Sequence, residues 1–202
     1  MYKYLFLVVF TFSNLNCSSQ DLVKRMIHRS DGLLETFSVL KSDQSVRQGE
    51  YKLLLYGSPI QEGFYNNGKK TGIWTFHDNN TNFSYDFDSG TIVSDTLGTA
   101  RPALYSEGDV YFFYFLYNEV GYPIEAKEAG RQGKVIIEFT VDIDGTPKDF
   151  DLKLGCGTLM LNKEAMRAVI KVASAYPWFP AINEKGEKIK STVERQVNFQ
   201  LK

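Results

Sequence analysis

Apolar and polar residues alternate strictly over Val135, Ile137, Phe139, Val141 and Ile143, with Glu138, Thr140 and Asp142 between them. Period two is the mark of a strand with one buried face. Asp144-Gly145 then supplies a tight turn, because both residues tolerate the left-handed backbone a two-residue hairpin needs. Phe150, Leu152 and Leu154 continue the alternation on a returning strand. The period changes at Leu161: Met166, Val169, Ile170 and Ala173 form one stripe at helical spacing, expected to lie on the sheet. Asn162 is placed as the N-cap of that helix, Glu164 favours its positive end, and Pro177 ends it. Gly186 marks a further turn. A last strand runs to the chain end, with Val193, Val197, Phe199 and Leu201 on one face and Glu194, Gln196, Asn198 and Gln200 on the other.

The first half has a different rhythm. Thr36 to Leu40 reads as one short strand within an otherwise weakly patterned segment, residues 21–44. Asn67-Gly68 is a strong hairpin signal, and Gly72 permits a bulge before the aromatic strand Ile73–Phe76. Asp78-Asn79-Asn80 and Ser89-Gly90 mark two more turns. The pattern predicts a run of short antiparallel hairpins with an aromatic face. Between the halves, Arg101 to Tyr105 is an entry segment. Val110 to Tyr117 is an aromatic run that a strand or a buried helix would equally produce. Pro123 opens a short helix and Gly130 closes it.

Composition narrows the function classes. The 202 residues are 43% apolar and 14% aromatic, enough for a packed core, and 12 Tyr and 15 Phe favour sheet. A net charge of −1 gives no electrostatic footing for nucleic acid. Residues 1–17 read as a signal peptide: Lys3, an apolar run from Tyr4 to Phe12, and a polar exit. The run is too short to cross a membrane as a helix. Cys17 sits where a bacterial lipoprotein signal places its acceptor and is the candidate lipidation site, although Leu15 and Asn16 depart from the usual motif. With Cys17 processed, Cys156 stands alone, so no disulfide is expected and a small buried thiol is the reading of Gly155-Cys156-Gly157.

No catalytic constellation is legible. His28 and His77 are far from Cys156, and Glu164 beside Lys163 is ordinary helix-start chemistry. His77, Asp78, Asp86 and Asp88 lack any metal-ligand spacing, and the two aspartates are expected on the solvent face of one strand. Lys69-Lys70 is read as a solvated turn, since lipid headgroup recognition needs a larger basic cluster. The expectation is a non-enzymatic protein with no metal and no cofactor.

Two resemblances sharpen this. Gly63-Phe64-Tyr65-Asn66-Asn67-Gly68-Lys69-Lys70-Thr71-Gly72-Ile73-Trp74 resembles one unit of a MORN-type repeat, in the variant of YwqK-like antitoxin proteins, with degenerate neighbours at Gly49-Glu50-Tyr51 and Tyr85 to Gly90. That family implies a β-meander serving as spacer or interaction surface. The second half resembles the C-terminal domain of TonB. The words are Tyr122-Pro123 with Ala126, then Gly133 through Asp144-Gly145, Leu161 with Glu164-Ala165, Trp178 with Pro180-Ala181, and Val197, Phe199 and Leu201. That resemblance implies an α+β unit with a three-stranded antiparallel sheet and two helices, and it favours the helix for Val110 to Tyr117. It also implies that the last strand receives an extended peptide of an outer-membrane transporter by strand addition. The receiving positions are Ser191, Thr192, Val193, Glu194, Arg195, Gln196, Val197, Asn198, Phe199, Gln200 and Leu201.

Edge-strand physics by itself is compatible with either peptide binding or simple closure of the sheet, with Lys190, Glu194, Arg195 and Lys202 as charges against aggregation. The expected organisation is a signal peptide at 1–17, a MORN-like domain at 21–97 and a TonB-like domain at 101–202. It belongs to an exported, periplasmic protein of a Gram-negative bacterium, lipid-anchored through Cys17. Its partner is an outer-membrane transporter or another envelope protein, and strand exchange offers a homodimer through the same edge. The transducing members have a membrane anchor carrying Ser and His and a Pro-rich spacer, neither of which is recognisable here. A membrane-anchored energy transducer and a structural envelope scaffold are the competing roles.

Overall fold

The computed structural model describes residues 21–28, 32–77, 82–95 and 100–201. Seven antiparallel strands follow one another in sequence order: β1 (Leu22–His28), β2 (Leu33–Leu40), β3 (Arg47–Leu55), β4 (Ser58–Asn66), β5 (Lys69–His77), β6 (Asn82–Asp86) and β7 (Thr91–Asp95). Asn67 and Gly68 both have positive φ at the β4–β5 turn, as the hairpin signal required. The Trp74 indole lies flat on Gly63, where a Cβ would collide with it, and Trp74 Nε1 donates to the Phe64 carbonyl at 3.1 Å. One glycine therefore makes room for the largest side chain of the meander's core. Residues 21–44 hold more structure than their pattern shows. β1 was not legible, because nearly all of its positions are exposed and nothing enforces an alternation. The turn expected at Asp78-Asn79-Asn80 lies outside the described residues. Asp86 and Asp88 do not share a strand face: Asp86 ends β6, and its carboxylate accepts the Asp88 N–H at 2.9 Å and the Ser89 hydroxyl at 2.8 Å.

The second unit is α+β. The helices are α1 (Asp109–Glu119), α2 (Ile124–Glu128) and α3 (Leu159–Ala173). The sheet has three strands, β9 (Gly133–Val141) in the middle, β10 (Pro147–Leu154) on one side and β14 (Ser191–Phe199) on the other. Short pairs brace it: β8 (Leu104–Tyr105) with β11 (Trp178–Phe179), and β12 (Ala181–Ile182) with β13 (Lys188–Ile189). Val135, Ile137, Phe139 and Val141 are fully buried, so the period-two pattern does mark the centre of the core. The Tyr105 hydroxyl donates to the Val172 carbonyl at 3.0 Å, and Trp178 Nε1 donates to the Ala173 carbonyl at 3.0 Å. These two aromatics thereby satisfy last-turn carbonyls of α3 that have no partner inside the helix.

Several local expectations change. The helix begins at Leu159, before Asn162, whose side chain instead reaches back to accept the Cys156 N–H at 3.1 Å. It ends at Ala173, well before Pro177. Ile170 lies outside the buried stripe, which is Leu161, Ala165, Ala168, Val169, Val172 and Ala173. Small alanines let α3 sit close to the sheet, and that shifts the stripe. Ile143 falls in the turn and is exposed; β10 is bulged at Asp149 and again after Leu152, so Leu154 comes opposite Ile136 and turns outward, while Leu152, opposite buried Ile137, stays partly exposed at the sheet edge. Cys156 is free, half-buried and packed against the core.

The two units share an interface. α1 is apolar all round because it has a core on two sides: Phe112 and Leu116 enter the core of the three-stranded sheet, while Val110, Tyr111 and Tyr114 pack into the meander's aromatic core. Phe179 stacks against Phe83 and Tyr85 of β6, with ring centroids 5.7 and 4.2 Å apart. Lys70 is not a solvated turn residue. Its ammonium pairs with Glu107 at 2.6 Å and lies 4.4 Å from the Trp74 ring centroid, while Gln61 Nε2 donates to the Glu107 carbonyl. Burial pulls its pKa below the ordinary lysine value, against the pull of Glu107. The meander thus packs directly on α1 and on Phe179 of the second unit.

Two outcomes test this packing. Gly63→Ala should destabilise the chain by about 1–3 kcal/mol in urea unfolding, the usual effect of forcing an extra carbon into a filled core. Burial raises the phenol pKa of Tyr51, Tyr65 and Tyr105 above the ordinary 10.0. The unfolded chain releases those protons near pH 10 and the folded chain holds them. Stability should therefore be intact below about pH 10 and fall as pH rises through it; Lys70 acts the opposite way but as a single group. Urea unfolding at about pH 9 and about pH 11 reads the difference.

Candidate functional site

β14 is the feature that sets this sheet apart. It pairs with β9 over nine residues, Ser191 with Val141 through Phe199 with Gly133, without a single register shift. On its other side no strand is paired among the described residues. In an antiparallel strand, alternate residues turn N–H and C=O toward one neighbour and then the other. Every second residue of β14 thus presents both groups to the open side. The opposite edge, β10, is also unpaired, but its two bulges break the row of groups that a partner strand would need.

The strand keeps the predicted alternation. Val193, Val197 and Phe199 are buried, and Thr192, Glu194, Gln196 and Asn198 are exposed. The predicted site extends too far: the strand ends at Phe199, so Gln200 and Leu201 lie beyond it, where the Leu201 N–H donates to Gln132 Oε1 at 2.8 Å. Lys202 lies outside the described residues, as does Cys17.

Arg195 is the charged residue on the inward face, which Ser191 begins and Val193, Val197 and Phe199 share. It lies between two valines, with a side chain only 11% exposed. Its guanidinium donates to Asp109 Oδ1 at 2.7 Å and lies 4.8 Å from the Phe112 ring centroid and 5.3 Å from that of Trp178. A charge directed inward from an edge strand opposes unlimited sheet extension, since a flat apolar edge would recruit copies indiscriminately. Lys190, by contrast, sits on a loosely held surface pair with Asp149 at 3.5 Å. On the outer face Glu194 and Glu138 are direct cross-strand neighbours, a repulsive placement that Lys153 of β10 neutralises by bonding both.

The helices are fixed relative to this edge by a second ionic group. Arg167 of α3 bonds both Glu164 and Glu119, Lys171 bonds Glu119 at 2.7 Å, and Glu164 Oε1 accepts the Gly121 N–H at 2.7 Å. Hydrogen bonds from Arg167 hold the Glu164 carboxyl below its ordinary pKa. Glu164 therefore locks the α1–α2 junction to α3, a role its place at a helix start did not reveal. Among the described residues no group of three or more His, Cys, Asp or Glu could hold a metal, and no helix is long and apolar enough to cross a membrane.

A second straight edge exists at β1, whose seven residues pair with β2 in unbroken register. It has no packed helix beneath it, and exposed residues on both faces. A cleft of about 620 Å³ also lies where the meander meets the second unit, walled by Tyr85, Phe87, Tyr176 and Phe179. Its lining mixes those aromatic rings with polar and charged groups, among them Arg101, Glu107, Asp144 and Lys188.

The family model described as Gram-negative bacterial TonB protein C-terminal matches residues 118–201. The matched segment holds α2, β9, β10, α3 and β14, and it begins inside α1, so nearly all of α1 and the whole meander lie outside it. Two solution structures of Helicobacter pylori TonB-CTD are similar to the chain. One, of residues 179–285, has 22% identity and a TM-score of 0.38, and covers 46% of this chain and 79% of its own. The other, of residues 194–285, has 21% identity and a TM-score of 0.35, and covers 45% of this chain and 90% of its own. No curated protein matches the chain.

Replacing Arg195 by Val should leave the fold intact and increase self-association, because the charge that interrupts the apolar run from Val193 to Phe199 is removed. Light scattering across a concentration series would show the shift in mass.

Proposed function

We propose that this chain is an exported, periplasmic interaction protein whose TonB-like unit binds an extended segment of an outer-membrane transporter, or of another envelope protein, as a fourth strand beside β14. The supporting observation is the contrast between the two edges of one sheet: β14 is straight and open over nine residues, whereas β10 is bulged. An incoming strand would satisfy the unmet amides and carbonyls without any movement of the core, which is the energetic basis of strand addition. The family match over residues 118–201 supports the same reading. The chemistry is recognition, with no bond made or broken, and Ser191 to Phe199 carry it through their backbone. The MORN-like meander buttresses α1 from behind.

Cys17 is the proposed lipid anchor, which would hold the protein at a membrane of a Gram-negative envelope. A force-transmitting transducer would keep its N-terminus intact instead. The mass of the mature N-terminal peptide separates the two: a diacylated Cys17 supports the anchor, and an intact Met1 supports the transducer.

The direct test is crosslinking in cells from single photo-reactive residues placed at Gln196 and, as control, at Asp151 on the bulged edge. Adducts with outer-membrane transporters from position 196 alone are the expected outcome. Equal yields from both edges, or none from 196, would contradict the proposal.

A further inference from the structure

We infer that α1 and β14 together form a composite docking surface, and that it selects extended segments carrying apolar side chains at every second position. This inference rests on the strand-addition reading and specifies its ligand. Phe113 and Tyr117 are one helical turn apart on α1 and stay 47% and 76% exposed, although the rest of that helix's aromatics are packed. Their stripe runs beside the open edge of β14. Arg195, in the middle of the strand, lies 5.6 Å from the Phe113 ring centroid and pairs with Asp109 at the start of α1. Phe199, at the strand's end, packs on Tyr122 just past the end of α1, with centroids 5.5 Å apart. Helix and strand therefore run side by side in the same direction, and the exposed aromatic pair forms a shelf along the unpaired edge.

A peptide added to that edge turns its side chains alternately to the two sheet faces. On the helix side they meet Phe113 and Tyr117. On the other side they meet Thr192, Gln196 and Asn198, all exposed and polar. The charges at the middle of the strand are already matched, Arg195 with Asp109 and Glu194 with Lys153, so a charged anchor would gain little there. The fitting occupant is a neutral segment of alternating aliphatic or aromatic and small polar residues. The shelf lies on α1 before residue 118, outside the family match, and is thus a property of this chain's own helix.

The test is selection of binders from a random nonapeptide library by the full chain, repeated with the Phe113→Ser/Tyr117→Ser variant. Expected is enrichment of apolar residues at every second position with the native chain, lost with the variant. Peptides selected by the native chain should bind the variant about tenfold more weakly, the scale of one lost apolar contact. Circular dichroism should show the variant folded. Enrichment without period two, or the same enrichment with the variant, overturns the shelf. The strand-addition reading is tested separately by N-methylating alternate amides of a selected peptide. If neither alternate set weakens binding, strand addition fails and the composite surface with it, whereas loss of the shelf alone leaves strand addition standing. If nothing is enriched, both fail.

Discussion

The constraint on which the structure depends is that β9 is the only strand of the three-stranded sheet bonded on both sides. Its four inward residues are fully buried, and everything else in the unit packs on or beside them. A sheet of three strands has two edges by necessity. The chain disposes of one by bulging β10, and it leaves the other straight. The proposed function rests on that asymmetry, because an unmet row of backbone groups is costly only where water is excluded and useful only where geometry is regular. The inward Arg195 is consistent with an edge kept open in a controlled way: it is buried enough to interrupt the apolar stripe and paired enough to be tolerated.

The second constraint is the fusion of the two units through α1. A helix with a core on two sides cannot be amphipathic in the usual sense: Phe112 serves the core of the three-stranded sheet, and Tyr111 and Tyr114 serve that of the meander. The Lys70–Glu107 pair sits in this seam with side chains only 13% exposed on each partner. Removing one partner of such a pair strands the other, so the seam depends on both. The meander thus packs on the helix that also packs beneath β14, which links a region outside the family match to the proposed recognition edge.

Legibility in the sequence followed how local the cause was. The β9 alternation, the Asp144-Gly145 turn and the Asn67-Gly68 hairpin are set by neighbours in the chain, and they were readable. The open edge was readable too, from the final alternation together with the resemblance. What was not readable depends on distant contacts. Lys70 looks like a hairpin-turn lysine until Glu107 and three aromatic rings surround it. Asn162 has the right residue type for a cap, but the helix starts before it, at Leu159, and its side chain accepts the Cys156 N–H instead. Leu154 keeps a strand's composition while a bulge after Leu152 sets it opposite Ile136 and turns it out. Phe113 and Tyr117 could have been found only by noticing that an all-aromatic helix has more apolar surface than one core can cover.

Amide hydrogen exchange along β14 in the free chain tests the central claim most directly. Alternation is the predicted result: amides facing β9 protected to the level of the core, and every second one exchanging at nearly the rate of an unstructured peptide. Uniform protection from Ser191 to Phe199 would mean the edge is already occupied and would contradict the account.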